Sequence, residues 1–283
     1  MTTTINTICV IGAGTMGSGI AQTVAQSGFH SILFDINAVV LEKAKTAIQN
    51  NLQSLVNKEK MTAVEKDVIF QRIKFITDIN DCLADIIIEA IVEKVEAKVA
   101  IFNQLAEINH SEMIFATNTS SLSVSQIQAG VQQPQRVVGM HFFNPAPIMK
   151  LVEVVKGDQT SEAVVEKVYE LCLQLKKTPV ICKDVPGFIV NRVARHYYLE
   201  AMKLVEQGIA TIENVDDIME ASGFRMGPFR LMDLIGNDVN LAVSQSLYEA
   251  CNQAVRFKPA TWQIEKVEKG ELGKKTKKGF YNY

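Results

Sequence analysis

The sequence predicts an α/β protein in which a doubly wound parallel sheet covered by helices is followed by an all-helical domain. Three observations predict it. Short β-branched runs alternate with longer helical patterns through the first half, as βαβ units require. A glycine cluster stands directly between the first such run and the first helical pattern. From Gly187 onward no strand pattern recurs before the tail. A chain of 283 residues exceeds what one core usually holds, so two domains are expected, 1–184 and 185–283.

"TICVIG" (7–12) is a strand, and 15–27 is a helix stopped by Gly28. "SILFDI" (31–36) is the next strand. Two helical patterns follow, one over 37–57 and one from beyond Met61 to near Arg72. Together they are longer than a crossover needs, so they either reach over a ligand or form an exposed hairpin. "IKFIT", "DIIIEAI", "MIFATN" and "RVVGMHF" are further strands, with a helix over 95–108 between the second and third. "LVEVVKG" and "TPVICK" are two more, flanking a helix over 162–176. Beyond "KDVPGF" the pattern turns helical. "PGFIVNRVARHYYLEAMKLVEQG" places Pro186 at a helix start and Gly208 at its stop. "IENVDDIMEASG" is a helix ended by Gly223, and "GPFRLMDLIGNDVNLAVSQSLYEA" is a helical pair.

Composition excludes several classes of function. Hydrophobic content of 47% with 21% charged residues describes a globular chain. A net charge of −2 without a basic tract argues against wholesale nucleic-acid binding. No apolar run is long enough to span a bilayer, so no membrane partner is expected. The start has no basic region ahead of its first strand, so it is not read as a secretion signal. The five cysteines (Cys9, Cys82, Cys172, Cys182, Cys251) are scattered, odd in number and free of CxxC pairs. They read as reduced thiols, most of them core residues, in a cytoplasmic protein. No metal site is expected.

"VIGAGTMGSG" carries Gly12-x-Gly14-x-x-Gly17, with Thr15 and Met16 between the last two glycines. Alone this pattern is weak. Here it follows a strand, opens a helix, and is followed by Asp35 at the end of the second strand, the context of a Rossmann-like dinucleotide site. The helix N-terminus offers N–H groups to a pyrophosphate. Asp35 would accept from ribose hydroxyls and repel a 2′-phosphate, which favours NAD over NADP.

"MHFFNPAPIMKLVEVV" poses a separate question, because it sets a histidine and a carboxylate in an apolar, strand-like run. His141 stands at the end of one strand, and Glu153 lies past a turn marked by Pro145 and Pro147. If the two strands are neighbours, the carboxylate can hold one imidazole nitrogen while the other takes a proton. Oxidation of an alcohol by NAD needs such a base. His30, His110 and His196 have no comparable context and read as structural or surface residues.

At these residues the chain resembles the L-3-hydroxyacyl-CoA dehydrogenases, and among them the short 3-hydroxybutyryl-CoA dehydrogenases. The matching stretches are "GAGTMG", "EAIVE", "ATNTSSLS", "HFFNPAP", "LVEVV", "DVPGFIVNR", "MGPF" and "GKKTKKGFYNY", spread over essentially the whole chain. The resemblance implies a Rossmann-like domain, NAD, an acyl-CoA substrate and a homodimer. It assigns the catalytic pair to His141 and Glu153, a serine bridging substrate and cofactor to Ser120, and a substrate-binding asparagine to Asn191. It assigns further cofactor contacts to Asp35, Glu93, Lys98, Asn118, Asn144 and Lys275. Read as residues alone, Ser120 is equally an N-cap in a serine-rich turn, Asn191 a polar helix position, and Lys275 a surface lysine.

The chain departs from the family pattern around "MGPF". Arg225 and Arg230 flank that stretch, where short-chain members carry other residues, and "GNDVN" follows. One of these arginines is expected either to read a distal carboxylate, as in 3-hydroxyadipyl-CoA, or to be exposed or paired with Asp233 or Asp238. Two rivals remain. A sugar-acid dehydrogenase of related fold, such as the gulonate enzyme, would share His141 and Glu153 but need no CoA site. A non-catalytic dinucleotide-binding protein would have no use for the full set of Ser120, His141, Glu153 and Asn191.

Overall fold

The computed structural model describes residues 5–283. The chain divides into two compact units, the first ending at Asp184 and the second beginning at Val185.

The first unit is built on one sheet. Its strands are β1 (Thr7–Ile11), β2 (His30–Phe34), β3 (Ile73–Ile76), β4 (Ile86–Glu89), β5 (Ile114–Thr117), β6 (Val137–Phe142), β7 (Leu151–Lys156) and β8 (Thr178–Lys183). They lie in the order β3-β2-β1-β4-β5-β6-β7-β8. The helices are α1 (Thr15–Gln26), α2 (Ala38–Asn57), α3 (Ala63–Gln71), α4 (Val95–Ile108), α5 (Val124–Gln128) and α6 (Glu162–Gln174). Every residue of β4, β5 and β6 is buried. Helical cover on both faces explains why these strands read as continuous apolar runs rather than alternating ones.

Sequence-local signals set the helix starts. Asn37 accepts from the N–H groups of Val39 and Val40 at the head of α2. Thr62 and Glu65 cap α3 reciprocally, with Thr62 N–H donating to Glu65 Oε2 (2.7 Å) and Glu65 N–H to Thr62 Oγ1 (3.1 Å). Ser161 caps α6 by accepting from Val164 N–H.

The expectation of a wholly parallel sheet needs one correction. β7 runs antiparallel to β6, while the other neighbours in the sheet are parallel. The reason is reach. The residues 143–150 that link the two strands are too few for a crossover, so the chain can only turn back.

The second unit comprises α7 (Val190–Glu206), α8 (Ile212–Ala221), α9 (Pro228–Ile235), α10 (Asn237–Ala250) and α11 (Thr261–Glu268). Its core gathers Tyr198, Met202, Val215, Phe229 and Met232. Gly208 and Gly223 follow α7 and α8 with φ of 68° and 102°, the left-handed stops that the sequence suggested. Buried Asp233 of α9 accepts from the N–H groups of Phe280 and Tyr281 and from the Tyr283 hydroxyl, which ties the tail to the helix.

Pro186 does not start α7 as expected. Residues 186–189 form a turn in which Gly187 and Phe188 take φ of 73° and 47°, and the helix begins at Val190. A β-carbon on Gly187 would press into the Leu247 side chain, so close packing fixes this turn rather than local propensity.

Candidate active site

The glycine loop is shaped for close approach. Gly12 adopts φ of 97°, and a β-carbon there would run into the Ala90 carbonyl. A β-carbon on Gly17 would collide with the Gly12 carbonyl oxygen, so glycine is needed for α1 to sit on the loop. Gly14 faces open space and is the N-cap of α1, with no side chain accepting from the first-turn amides. Thr15 and Met16 begin that turn. These amides and the positive end of the helix dipole fit a pyrophosphate. At the end of β2, Asp35 accepts from Ala13 N–H through Oδ2 and from Asn37 N–H through Oδ1, both at 2.8 Å. A carboxylate has about four acceptor sites, so ribose hydroxyls can still be taken. The loop therefore fits NAD.

A buried charge network occupies the adjacent strand ends. Glu89, the last residue of β4, is fully buried and contacts Lys98 Nζ at 2.6 Å. It also accepts from Ile91 N–H (2.7 Å) and from the Thr117 hydroxyl (2.7 Å). Lys98, itself 1% exposed, reaches Glu93 at 3.1 Å. Glu93 in turn accepts from the Thr119 hydroxyl (2.5 Å) and the Ser120 N–H (3.0 Å). Burial disfavours the Glu93 carboxylate, but the Lys98 charge and these donors outweigh it and hold its pKa below the ordinary range. Glu93, Lys98 and Ser120 thus belong to one connected set. Glu89 was missed from sequence because it reads as an ordinary residue inside "DIIIEAI"; its place at the end of an apolar strand is the signal that could have found it.

β6 and β7 carry a buried histidine–carboxylate pair. Their register sets His141 directly opposite Glu153. His141 Nδ1 lies 2.8 Å from Glu153 Oε2, both side chains being buried. With the Nδ1 proton donated to the carboxylate, Nε2 is the proton-accepting nitrogen. The Phe143 ring packs against the imidazole, 4.5 Å between centroids. Asn118, just after β5, accepts from Phe142 N–H at 2.9 Å and links this strand end to the previous one. Parallel pairing of β4, β5 and β6 brings Glu89, Asn118, Ser120 and His141 to the same edge of the sheet.

Asn144 lies exposed on the turn after β6 and lines a cleft of about 370 Å³ with Gly14, Thr15, Ser18, Lys43 and Asn51. The cleft runs between α1 and α2. Lys43 and Asn51 were not singled out from sequence, where they look like surface positions of a long helix. Burial pushes the Cys172 and Cys182 thiols up to about 12, so neither is a ready nucleophile. Among the described residues no cluster suits a metal ion, and no helix is long and apolar enough to cross a membrane.

In the second unit Asn191 sits in the first turn of α7, half-buried. Lys275 binds Asp238 at 2.5 and 2.6 Å, on the tail beside the start of α10. Arg230 does not serve as expected. Its guanidinium is held by Asp217 and Glu220, each at 2.9 Å, with Asp216 at 3.8 Å. These three carboxylates, rather than Asp233 or Asp238, neutralise its charge. Arg225 is exposed in the loop before α9.

Comparison with known proteins agrees with this geometry. A model of the 3-hydroxyacyl-CoA dehydrogenase NAD binding domain matches residues 7–185, and one of the 3-hydroxyacyl-CoA dehydrogenase C-terminal domain matches residues 187–283. The chain is 47% identical over 281 residues to the 3-hydroxyadipyl-CoA dehydrogenase of Escherichia coli K12, covering 99% of this chain but 59% of that one. It is 39% identical over 278 residues to the 3-hydroxybutyryl-CoA dehydrogenase of Clostridioides difficile, covering 98% of this chain and 99% of the relative. The crystal structure of (S)-3-hydroxybutyryl-CoA dehydrogenase from Ralstonia eutropha superposes with a TM-score of 0.93 at 39% identity, over 99% of both chains.

Proposed function

The chain belongs to the 3-hydroxyacyl-CoA dehydrogenase family, with that family's NAD-binding domain as its first unit, and we propose that it oxidises (S)-3-hydroxyacyl-CoA to 3-ketoacyl-CoA. The observation that carries the reading is the buried His141–Glu153 hydrogen bond of 2.8 Å at the strand edge shared with the dinucleotide loop. The glycine loop and Asp35 would hold NAD, which would supply the hydride acceptor for the carbinol carbon. His141 Nε2 removes the hydroxyl proton, and Glu153 fixes the tautomer and stabilises the imidazolium that forms. Ser120, set by the Glu93 network, orients the substrate oxygen. Asn191 donates its amide to the acyl group. Glu93, Lys98, Asn118, Asn144 and Lys275 complete the cofactor contacts.

A short acyl chain such as 3-hydroxybutyryl is the first reading, supported by relatives named for that substrate. Identity of 47% to a relative named for 3-hydroxyadipyl-CoA supports the second. The enzyme is further read as a homodimer in the cytoplasm, and its five free cysteines support a reducing setting. Sedimentation would measure the oligomer. The activity is tested by NADH oxidation with a panel of 3-ketoacyl-CoAs that includes acetoacetyl-CoA, in the parent and in His141→Gln. Losing a positioned base should cost about 10²–10⁴-fold in kcat with little change in NADH affinity. Near-normal turnover in the variant would sink the assignment.

A further inference from the structure

The second unit holds a buried arginine that no carboxylate among the described residues neutralises. Arg195 of α7 is 3% exposed. Its Nη1 donates to the Asn240 carbonyl (2.9 Å), to Asn240 Oδ1 (3.2 Å) and to Ser244 Oγ (3.0 Å), all on α10. Gln263 of α11 donates through Nε2 to the same Asn240 Oδ1 (2.5 Å) and to Ser244 Oγ (3.2 Å). The Tyr198 ring lies 4.8 Å from the guanidinium carbon. Every partner among the described residues is neutral. Burial pulls the guanidinium down to about 10, so it remains a cation at neutral pH.

The cluster has one more unpartnered donor than acceptor. Arg195 Nε and Asn240 Nδ2 are buried and meet no acceptor among the described residues, and Gln263 Oε1 is buried and meets no donor among them. Turning the Asn240 amide over would set its nitrogen against two donors, Arg195 Nη1 and Gln263 Nε2, so Oδ1 faces both and Nδ2 points away from them. A buried charge with unsatisfied N–H groups is costly unless an anion joins it. The helix supplies a direction for that anion. Arg195 follows Asn191 by four positions, which puts both on one face of α7 about one turn, ~5.4 Å, apart.

We propose that Arg195 and Asn240 read a carboxylate at the far end of the acyl chain, so that the preferred substrate is a 3-hydroxyacyl-CoA with a dicarboxylic acyl group. This rests on the reading of Asn191 as the residue that meets the acyl group. In a six-carbon dicarboxylic chain the terminal carboxylate lies three bonds beyond the hydroxyl-bearing carbon, a span that one helical turn matches. The carboxylate accepts from Arg195 Nε and Asn240 Nδ2 and neutralises the guanidinium, whereas a methyl end offers these groups nothing.

The test pairs 3-oxoadipyl-CoA with 3-oxohexanoyl-CoA, which has the same carbon count and a methyl in place of the carboxylate, in NADH-dependent reduction. The parent should favour the dicarboxylic substrate by about tenfold or more in kcat/KM. Arg195→Gln should lower that ratio by about ten- to a hundredfold, mainly through KM, and Arg195→Lys should restore part of it. Asn240→Asp, which sets an internal carboxylate beside the guanidinium without changing side-chain size, should lower the same ratio. A parent ratio near one overturns the proposal, as does a ratio unmoved by Arg195→Gln and Asn240→Asp together. If the parent still reduces acetoacetyl-CoA in that case, only the carboxylate seat falls. If it reduces no 3-ketoacyl-CoA, the proposed activity falls with it.

Discussion

Replacing Glu153 with glutamine keeps a side chain of the same size and an acceptor oxygen opposite His141, but removes the charge. In the parent, the proton taken up by His141 creates an imidazolium whose Nδ1 lies 2.8 Å from a buried carboxylate oxygen. Taking the charge centres as ~4 Å apart and an effective dielectric of ~20, their attraction is about 4 kcal/mol. The resting, neutral imidazole does not feel this attraction, so the whole of it acts on the proton-transfer step. At ~1.4 kcal/mol per decade, Glu153→Gln should lower kcat by about 10³-fold. The amide can also turn its NH₂ toward Nδ1 and favour the wrong tautomer, which adds to the loss. Steady-state NADH absorbance with acetoacetyl-CoA measures kcat, and fluorescence titration measures the Kd for NADH, which should hardly move. A kcat within tenfold of the parent would show that the carboxylate neither orients nor stabilises the imidazolium.

Three further outcomes are expected. Lys98→Met strands Glu89 in the core and should cost about 3–5 kcal/mol, a fall in Tm of roughly 6–20 °C; Glu89→Gln in the same chain should recover at least half, and a urea melt of the single variant within ~1 kcal/mol of the parent would contradict this. Asp35→Asn keeps an acceptor for Ala13 N–H but removes the charge that repels a 2′-phosphate, so kcat/KM for NADPH over NADH should rise about tenfold or more, as kinetics with both cofactors would measure. The folded-state pKa of Glu93 is lowered, so its stabilising contribution is complete above the ordinary carboxylate range and is lost as pH falls through the lowered value; the stability gap between parent and Glu93→Gln should therefore close in acid, and denaturant melts at stepped pH that keep a constant gap would count against it.

What the sequence revealed follows from how local each signal is. The glycine loop and Asp35 were legible because turn, helix start and acidic strand end fall within one βαβ unit. The His141–Glu153 pairing was legible only on the condition that their strands are neighbours. Strand adjacency is tertiary information, and so is the reversal of β7 that sets the two residues face to face. The start of α7 was misplaced because residues 186–189 form a turn in which Gly187, packed against the distant Leu247, takes a positive φ. Glu89 and Arg195 escaped notice for one shared reason. An ionisable residue in a strand or on an amphipathic helix looks ordinary until burial and the list of its partners are known. Arg230 was given too much weight for the converse reason, since its three carboxylate neighbours lie 10 to 14 positions away in sequence and are brought together only by the packing of α8 against α9.

The antiparallel return from β6 to β7 also separates what can change from what cannot. Ladder hydrogen bonds fix the pairing of His141 with Glu153, and the turn between them, residues 143–150, takes no part in that ladder. Yet Asn144, Pro145, Ala146 and Pro147 of the same turn form one wall of the cleft. A turn of different composition or length redraws that wall while the base and its carboxylate stay in register. A single insertion within either strand instead rotates one partner to the opposite face and uncouples the pair. The shape of the cleft and the pairing of His141 with Glu153 are in this way written into adjacent segments with independent freedom to drift, and selection can retune the first without re-establishing the second.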